Sequence, residues 1–225
     1  MIKAVVFDLD GTLVSFNIDY KTLRAEVRSL LMAEGVPASI FSLNDTVFEM
    51  LDKTEIYMRN NGRKDEDIRE VYYKALRTIE NYELEAAKTA SLMPGVFETL
   101  KTLSEEGLKI GLYTVNSWKT ASYILKKFNI EDFFKAVISR EKVSRVKPYS
   151  EHLEAVLKTL DVKPDETLVV GDSTVDMKCA RKLNAIAVGI STGVSTQREL
   201  MEAGANYIIT SIIDLTILVK QLTRL

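Results

Sequence analysis

Two aspartates near the start of the chain are the first residues whose types and spacing suggest chemistry. The apolar run Ala4–Phe7 stops at Asp8, and Asp10 follows two residues later. Two carboxylates this close repel one another unless a positive charge lies nearby. A short apolar run that ends at such a pair is typical of a buried parallel strand, and ligands bind at the carboxyl end of such strands. The stretch therefore indicates a cation site.

Five further polar residues lie at the ends of later apolar runs or in the loop before a helix. They are Thr114, Asn116, Lys147, Asp172 and Asp176. In a doubly wound sheet, all of them would converge on one edge with Asp8 and Asp10. Carboxylates suit a hard cation such as Mg²⁺, whereas hydroxyl, amide and ammonium groups suit phosphate oxygens. Taken singly, each aspartate is better explained as a helix N-cap, so the hypothesis depends on the whole set.

The segments around these residues predict an α/β fold. From residue 94 onward, short apolar runs alternate with segments of helical periodicity, which predicts right-handed βαβ units and a doubly wound parallel sheet. The predicted strands cover residues 4–7, 109–115, 136–138, 167–171, 185–190 and 207–209. One helix runs from Val96 to a stop at Gly107, and the others cover residues 118–128, 151–160, 175–183, 197–203 and 214–222.

A helical block interrupts this pattern. Residues 18–88 repeat apolar side chains at helical spacing and contain no convincing strand. We therefore expect the sheet domain to be split in sequence by an all-α domain. The expected boundaries are a Rossmann-like core over residues 1–16 and 90–225, and a helical insert over residues 17–89.

Composition argues against several other classes of protein. The net charge of −2 gives no reason to expect a nucleic acid or an anionic membrane as partner. The single cysteine, Cys179, leaves no disulfide framework within the chain and no CxxC metal site. No apolar run approaches the length of a membrane span, and the run before Asp8 is too short for a signal peptide. We therefore expect a cytoplasmic protein, either a monomer or a homodimer.

The combined motifs resemble the four-motif signature of the haloacid dehalogenase superfamily. The residues that carry the resemblance are Asp8-Leu9-Asp10-Gly11-Thr12-Leu13, then Thr114, then Lys147-Pro148, then Gly171-Asp172 with Asp176 four residues on. The match is closest to the phosphoglycolate-phosphatase-like phosphatases. The helical insert is similar to the C1-type α-helical cap of that group, and residues 93–96 resemble its usual return into the core.

The resemblance implies a role for each of the motif residues. Asp8 would be the nucleophile that attacks phosphorus and forms an aspartyl phosphate. Asp10 would protonate the leaving oxygen and then activate the attacking water. Thr114 would hold the transferred group with nearby backbone amides, and Lys147 would offset its charge. Resembling dehalogenases lack an acid at the position of Asp10, so its presence argues for phosphoryl transfer.

The resemblance also implies Mg²⁺ as the cofactor. Its ligands would be Asp8, the backbone carbonyl of Leu9 rather than the side chain of Asp10, and Asp172. Asp176 would either bind the metal through water or hold Lys147 in place, and the sequence does not separate these two roles.

Several other residues have no motif to assign them. Asn116 is open to contact with the phosphate or substrate and, equally, to a helix-cap role. In the helical insert, Arg59 and Arg63 are the candidates for contact with the substrate. Packing is the expected role of Trp118, and we expect His152 to be a surface histidine.

These inferences lead to a Mg²⁺-dependent phosphatase that acts on a small phosphorylated metabolite through an aspartyl phosphate. A phosphomutase of the β-phosphoglucomutase kind keeps both acids and remains the alternative, although phosphatases are more abundant in the resembling group. A non-enzymatic protein on the same scaffold would show degenerate motifs, and none is missing here. A receiver-like domain is disfavoured by the helical insert and by Asp10.

Overall fold

A computed structural model describes residues 1–223. In chain order its strands are β1 (Ala4–Phe7), β2 (Val14–Ser15), β3 (Ser91–Leu92), β4 (Lys109–Tyr113), β5 (Phe134–Ile138), β6 (Thr167–Gly171), β7 (Ile186–Ile190) and β8 (Tyr207–Ile209). The α-helices are α1 (Tyr20–Ala33), α2 (Val47–Asn60), α3 (Asp65–Thr89), α4 (Val96–Glu105), α5 (Trp118–Lys127), α6 (Ser150–Leu160), α7 (Thr174–Lys182), α8 (Gln197–Ala203) and α9 (Asp214–Thr223). Within these residues, no helix is both long and apolar enough to cross a membrane.

The main sheet has six strands in the order β5-β4-β1-β6-β7-β8, and all neighbouring strands are parallel. Every residue of the central strand β1 is buried, as its apolar composition predicts. The register pairs Phe7 with Leu112 on β4 and with Val170 on β6. The next residue, Asp8, therefore enters the carboxyl edge of the sheet between the ends of two neighbouring strands.

The α/β class and the doubly wound parallel sheet predicted from the sequence are confirmed. Most boundaries agree with the predicted ones to within one or two residues. The strand predicted over residues 109–115 is shorter, because the chain turns at its end. The Thr114 hydroxyl accepts a hydrogen bond from the backbone N–H of Asn116 at 3.2 Å, which bends the backbone away from the ladder.

The chain divides into two compact units. The first combines Met1–Phe16 with the chain from Thr89 onward and contains the sheet, and the second is Asn17–Lys88. The chain leaves and re-enters the first unit through β2 and β3, which pair with each other in antiparallel fashion. Each unit has its own cluster of buried apolar side chains, so each has the core that a separate domain needs.

The helical unit contains local features that define its helices. The N-cap of α2 is Thr46, whose hydroxyl accepts from the backbone N–H of Glu49, while the Glu49 carboxylate accepts from the backbone N–H of Thr46. A cap of this kind stabilises a helix by about 1 kcal/mol. The buried side chains of the three helices recur at helical spacing, as the sequence pattern predicts.

Candidate active site

Three of the predicted acids meet at the carboxyl edge of the sheet. Asp8 follows β1, Asp172 follows β6, and Asp176 lies in the first turn of α7. One carboxylate oxygen from each residue lies within 4.8 Å of the other two, and all three residues are buried. A buried set of oxygen donors fits a hard divalent cation such as Mg²⁺.

The ammonium group of Lys147 lies among these carboxylates. Its Nζ is 2.6 Å from Asp8 Oδ1 and 2.8 Å from Asp176 Oδ1, and its side chain is 3% exposed. Burial alone lowers the pKa of a lysine, but the Asp176 and Asp8 carboxylates outweigh burial here and raise the pKa of Lys147. Lys147 is therefore a fixed positive charge beside the predicted nucleophile.

One ammonium does not balance the carboxylates that surround it. Burial raises the pKa of Asp8 well above its ordinary value, and the neighbouring carboxylates add to this effect while Lys147 opposes it. Burial, followed by the charge of Asp176, raises the pKa of Asp172 to about 6. A divalent cation among these oxygens would favour their charged forms, so the electrostatics of the cluster also fit a metal site.

Asp10 lies beside this cluster and is held by Asn116. The Asn116 Nδ2 atom is 3.1 Å from Asp10 Oδ1 and 3.0 Å from Asp10 Oδ2, and Asn116 is buried. The helix-cap interpretation of Asn116 is wrong, because the N-cap of α5 is Ser117, whose hydroxyl accepts from the backbone N–H of Thr120. The side chain of Asn116 is thus directed at the predicted general acid.

A loop that sequence reasoning missed packs against Asp172. The backbone N–H of Val194 donates to Asp172 Oδ2 at 2.8 Å. A Cβ atom at Gly193 would overlap the Asp172 carboxylate, and so would one at Gly11, which also has a positive φ of 72°. The Thr192 hydroxyl donates to the Gly11 carbonyl at 2.8 Å. Glycine at both positions lets the backbone approach the predicted metal ligand.

The expectation that His152 lies on the surface is wrong. The residue is fully buried, its Nε2 is 3.0 Å from the Ile138 carbonyl, and its Nδ1 is 3.4 Å from the backbone N–H of Lys147. Burial, and then the charge of Lys147, lowers the pKa of His152 to about 4. The reason is that α6 turns this side chain toward the sheet. Neutral His152 therefore supports the loop that carries Lys147 through the backbone of that residue.

Tyr113 and Ser173 were also missed by the sequence analysis. The Tyr113 hydroxyl donates to Asp176 Oδ1 at 2.7 Å, and the Ser173 hydroxyl donates to Asp176 Oδ2. Tyr113 ends β4 and Ser173 follows Asp172 directly, so their positions at the sheet edge were readable. The sequence does not show that both hydroxyls point at the same carboxylate.

Trp118 and Cys179 lie in the same unit and differ in exposure. Trp118 is 47% exposed, and Lys142 Nζ lies 4.9 Å from the centre of its ring, so the packing interpretation of its indole is wrong. Its position at the first turn of α5 leaves the indole at the helix end rather than on the packed face. Cys179 is buried, and burial raises the pKa of its thiol to about 11.

The two arginines predicted to contact the substrate lie in the helical unit. The Arg59 guanidinium pairs with Glu55 at 2.9 Å and with Asp65 at 2.7 Å. The Arg63 Nη2 atom donates to the Glu34 carbonyl at 3.3 Å. A contact between either arginine and the substrate stays a prediction.

Comparison with known proteins identifies the family. Residues 5–190 match the model of the haloacid dehalogenase-like hydrolases. A pyrophosphatase PpaX from Listeria welshimeri is 26% identical over 97% of each chain. A solved hydrolase from Pseudomonas syringae is 26% identical with a TM-score of 0.68, over 97% of this chain and 98% of that one. A solved predicted phosphoglycolate phosphatase from Haemophilus somnus covers the same shares at 20% identity and a TM-score of 0.67.

The chain belongs to the haloacid dehalogenase-like hydrolase family, because the family model covers most of its length. This confirms the resemblance inferred from the four motifs. The solved structures share the α/β fold, and the family together with the curated relative supports a phosphatase enzyme.

Proposed function

We propose that this protein is a Mg²⁺-dependent phosphatase that hydrolyses small phosphate monoesters through an aspartyl phosphate on Asp8. The observation that carries the proposal is the placement of one buried ammonium, that of Lys147, at 2.6 Å from Asp8 and beside two further buried acids. A carboxylate can approach an anionic phosphate only if nearby positive charge offsets the repulsion. Asp172 adds a further buried carboxylate beside Asp8, and a divalent cation would offset this charge.

In the first half-reaction, Asp8 attacks phosphorus in line with the leaving oxygen. A new bond forms between a carboxylate oxygen and phosphorus, and the ester bond to the leaving group breaks. Asp10 gives its proton to the departing oxygen. The amide of Asn116 holds the Asp10 carboxyl group in position for this transfer. Thr114, at the end of β4, binds the transferred group together with nearby backbone amides.

In the second half-reaction, Asp10 acts as a base. It removes a proton from a water molecule, which attacks the phosphorus of the aspartyl phosphate and frees Asp8 and inorganic phosphate. The same residue can do both, because donation of its proton in the first step leaves it ionised for the second. Lys147 stays charged throughout and offsets negative charge on Asp8 and on the phosphoryl group.

The proposed cofactor is Mg²⁺, which Asp8, Asp172 and the backbone carbonyl of Leu9 would hold. When bound, the ion supplies Lewis acidity and a template for the phosphoryl oxygens. Asp10 is outside the group of three acids whose oxygens come together, which supports its role in proton transfer rather than in metal binding.

The helical unit, residues 17–88, is assigned the role of the cap that the family resemblance implies. A cap of this kind excludes bulk water during the first half-reaction and selects the leaving group. Arg59 and Arg63 remain its candidate substrate contacts, in a cytoplasmic enzyme that acts on a phosphorylated metabolite.

The curated relative named as a pyrophosphatase makes inorganic pyrophosphate a second candidate substrate. The same residues would serve, since the leaving group would be a phosphate instead of an alcohol. Phosphate is the better leaving group and needs less help from Asp10. A phosphomutase would move the phosphoryl group between positions of one sugar without releasing phosphate.

A phosphate-release screen tests this proposal. Purified protein is incubated with phosphorylated metabolites and with pyrophosphate, in Mg²⁺ or in chelator, and Asp8→Asn is the matched control. We expect Mg²⁺-dependent release by the unmodified protein and essentially none by Asp8→Asn. Release that persists in chelator would contradict the metal assignment, and product isomers without free phosphate would establish the mutase instead.

A further inference from the structure

Asp176 is surrounded by hydrogen-bond donors from the protein itself. Its Oδ1 accepts from Lys147 Nζ at 2.8 Å and from the Tyr113 hydroxyl at 2.7 Å. Its Oδ2 accepts from the backbone N–H of Ser173 at 3.3 Å and from the Ser173 hydroxyl. An ionised carboxylate has about four lone-pair positions, so these donors match the full capacity of Asp176.

This saturation separates the two roles that the sequence left open for Asp176. A residue that binds a metal, either directly or through a bridging water, needs a free oxygen lone pair, whereas a residue that holds Lys147 in place needs only the contact that it already makes. Asp176 is fully buried, and breaking one of its hydrogen bonds there would be costly. The geometry therefore favours a role in holding the ammonium.

Tyr113 contacts both members of this ion pair. Its hydroxyl donates to Asp176, and Lys147 Nζ lies 4.3 Å from the centre of its ring. That distance is within the range of a cation–π interaction. Tyr113 is itself fully buried, and burial keeps the pKa of its phenol well above the ordinary value, so the hydroxyl stays a donor.

We propose that Tyr113 is a positioning residue for phosphoryl transfer, which holds Asp176 and Lys147 together so that the ammonium stays against Asp8. The inference rests on the proposed function, because it assigns a task within that reaction. The phenol hydroxyl of Tyr113 holds the Asp176 carboxylate by a hydrogen bond, and its ring packs against the Lys147 ammonium. Tyr113 is fully buried and acts through Asp176 and Lys147.

The substitution Tyr113→Phe isolates the hydroxyl, because the ring and its contact with Lys147 remain. Without the hydroxyl, Asp176 Oδ1 loses one of its two hydrogen-bond donors. The Asp176 carboxylate and the Lys147 ammonium are then free to shift. We expect kcat to fall about tenfold, while KM and the Mg²⁺ concentration for half-activation change less than about twofold. Tyr123→Phe is the matched control, since Tyr123 is an exposed tyrosine of α5 in the same unit.

A second measurement does not depend on activity. In the unmodified protein without substrate, we expect the buried Lys147 ammonium to give a ¹⁵Nζ signal with slow hydrogen exchange, assigned through correlation with its side-chain carbons. The signal should shift or broaden in Tyr113→Phe and stay unchanged in Tyr123→Phe. Thermal denaturation of all three proteins confirms that the comparison is made on folded material.

The possible outcomes separate this inference from the proposed function. Absence of phosphate release by the unmodified protein would defeat the proposed function, while the ¹⁵Nζ measurement would still report on Tyr113. An unchanged kcat in Tyr113→Phe, or an unchanged Lys147 signal, would overturn the positioning role. A rise in the Mg²⁺ requirement at constant kcat would also overturn it, because Tyr113 would then act through a metal ligand.

Discussion

The amide of Asn116 is directed at both oxygens of Asp10, with its Nδ2 atom 3.1 Å from Oδ1 and 3.0 Å from Oδ2. Asn116 is buried in the segment that follows β4, and Asp10 lies in the segment that follows β1, so the contact joins the loops after two neighbouring strands of the sheet. A proton donor must be held in reach of the leaving oxygen to be effective. The contact therefore fixes the orientation of the proposed general acid.

The first prediction concerns the leaving group. Asp10→Asn should lower kcat/KM, which reports the first half-reaction, by about 10²–10⁴-fold with alkyl phosphates, because their alkoxide leaving groups need a proton. The loss should be much smaller with p-nitrophenyl phosphate, whose phenolate leaves without one. Rates measured for a series of esters show how the loss depends on the leaving group. We expect Asn116→Ala to show the same dependence with smaller losses. An equal loss for all leaving groups would contradict the acid role of Asp10.

The second prediction concerns Mg²⁺ and stability. Asp172→Asn removes one carboxylate from a crowded buried group, so without metal its melting temperature should equal or exceed that of the unmodified protein. Mg²⁺ should raise the melting temperature of the unmodified protein, by linkage worth about 2.7 kcal/mol at 100 times its Kd, and should not do so for Asp172→Asn. Thermal denaturation with and without MgCl₂ measures both effects.

The control for the metal experiment is Asp165→Asn, which removes an exposed carboxylate from the same unit. Its response to Mg²⁺ should match that of the unmodified protein. If Asp172→Asn keeps the full response to Mg²⁺, the cation does not bind at Asp172.

The third prediction concerns the buried histidine. Because the folded protein holds the pKa of His152 at about 4, below its ordinary 6.5, neutral His152 contributes stability above pH 6.5 that is lost as the pH falls toward 4. The size of this loss is up to about 3 kcal/mol, since one pKa unit corresponds to about 1.4 kcal/mol. The neighbouring charges of Lys147 and Asp176 act on the same group in opposite directions.

Denaturant unfolding of the unmodified protein and of His152→Gln between pH 8 and pH 4 tests whether the stability contributed by His152 falls with pH. The unmodified protein should be the more stable at pH 8, and the difference should narrow as the pH falls. A difference that stays constant or widens would show that His152 is not held neutral in the folded protein.

The sequence predicts the sheet well because its strands are governed by local patterns. The run before Asp8 is continuously apolar and the segment 167–171 is buried throughout, as is typical of strands buried on both faces, and an acid follows each of them. The parallel arrangement then brings the acids Asp8 and Asp172 to one edge, although they are far apart in the chain. Periodicity, glycine and charge are enough for these conclusions.

The sequence fails where a role depends on the direction of a side chain. His152 lies on an amphipathic helix, and periodicity alone did not show that it faces the sheet and the Lys147 loop. Tyr113 read as an ordinary strand residue, because the partner of its hydroxyl lies on a helix that follows a different strand. Such contacts follow from tertiary packing and leave no local pattern.

The central claim is that Asp8 becomes covalently phosphorylated, and chemical trapping tests it most directly. The protein is mixed with a substrate found in the phosphate-release screen, quenched during turnover and treated with borohydride, which reduces an acyl phosphate to an alcohol. The peptide that contains residue 8 is then analysed by mass spectrometry. We predict homoserine at position 8, absent when substrate is omitted. Trapping of homoserine at another aspartate, with position 8 unmodified, would contradict the account.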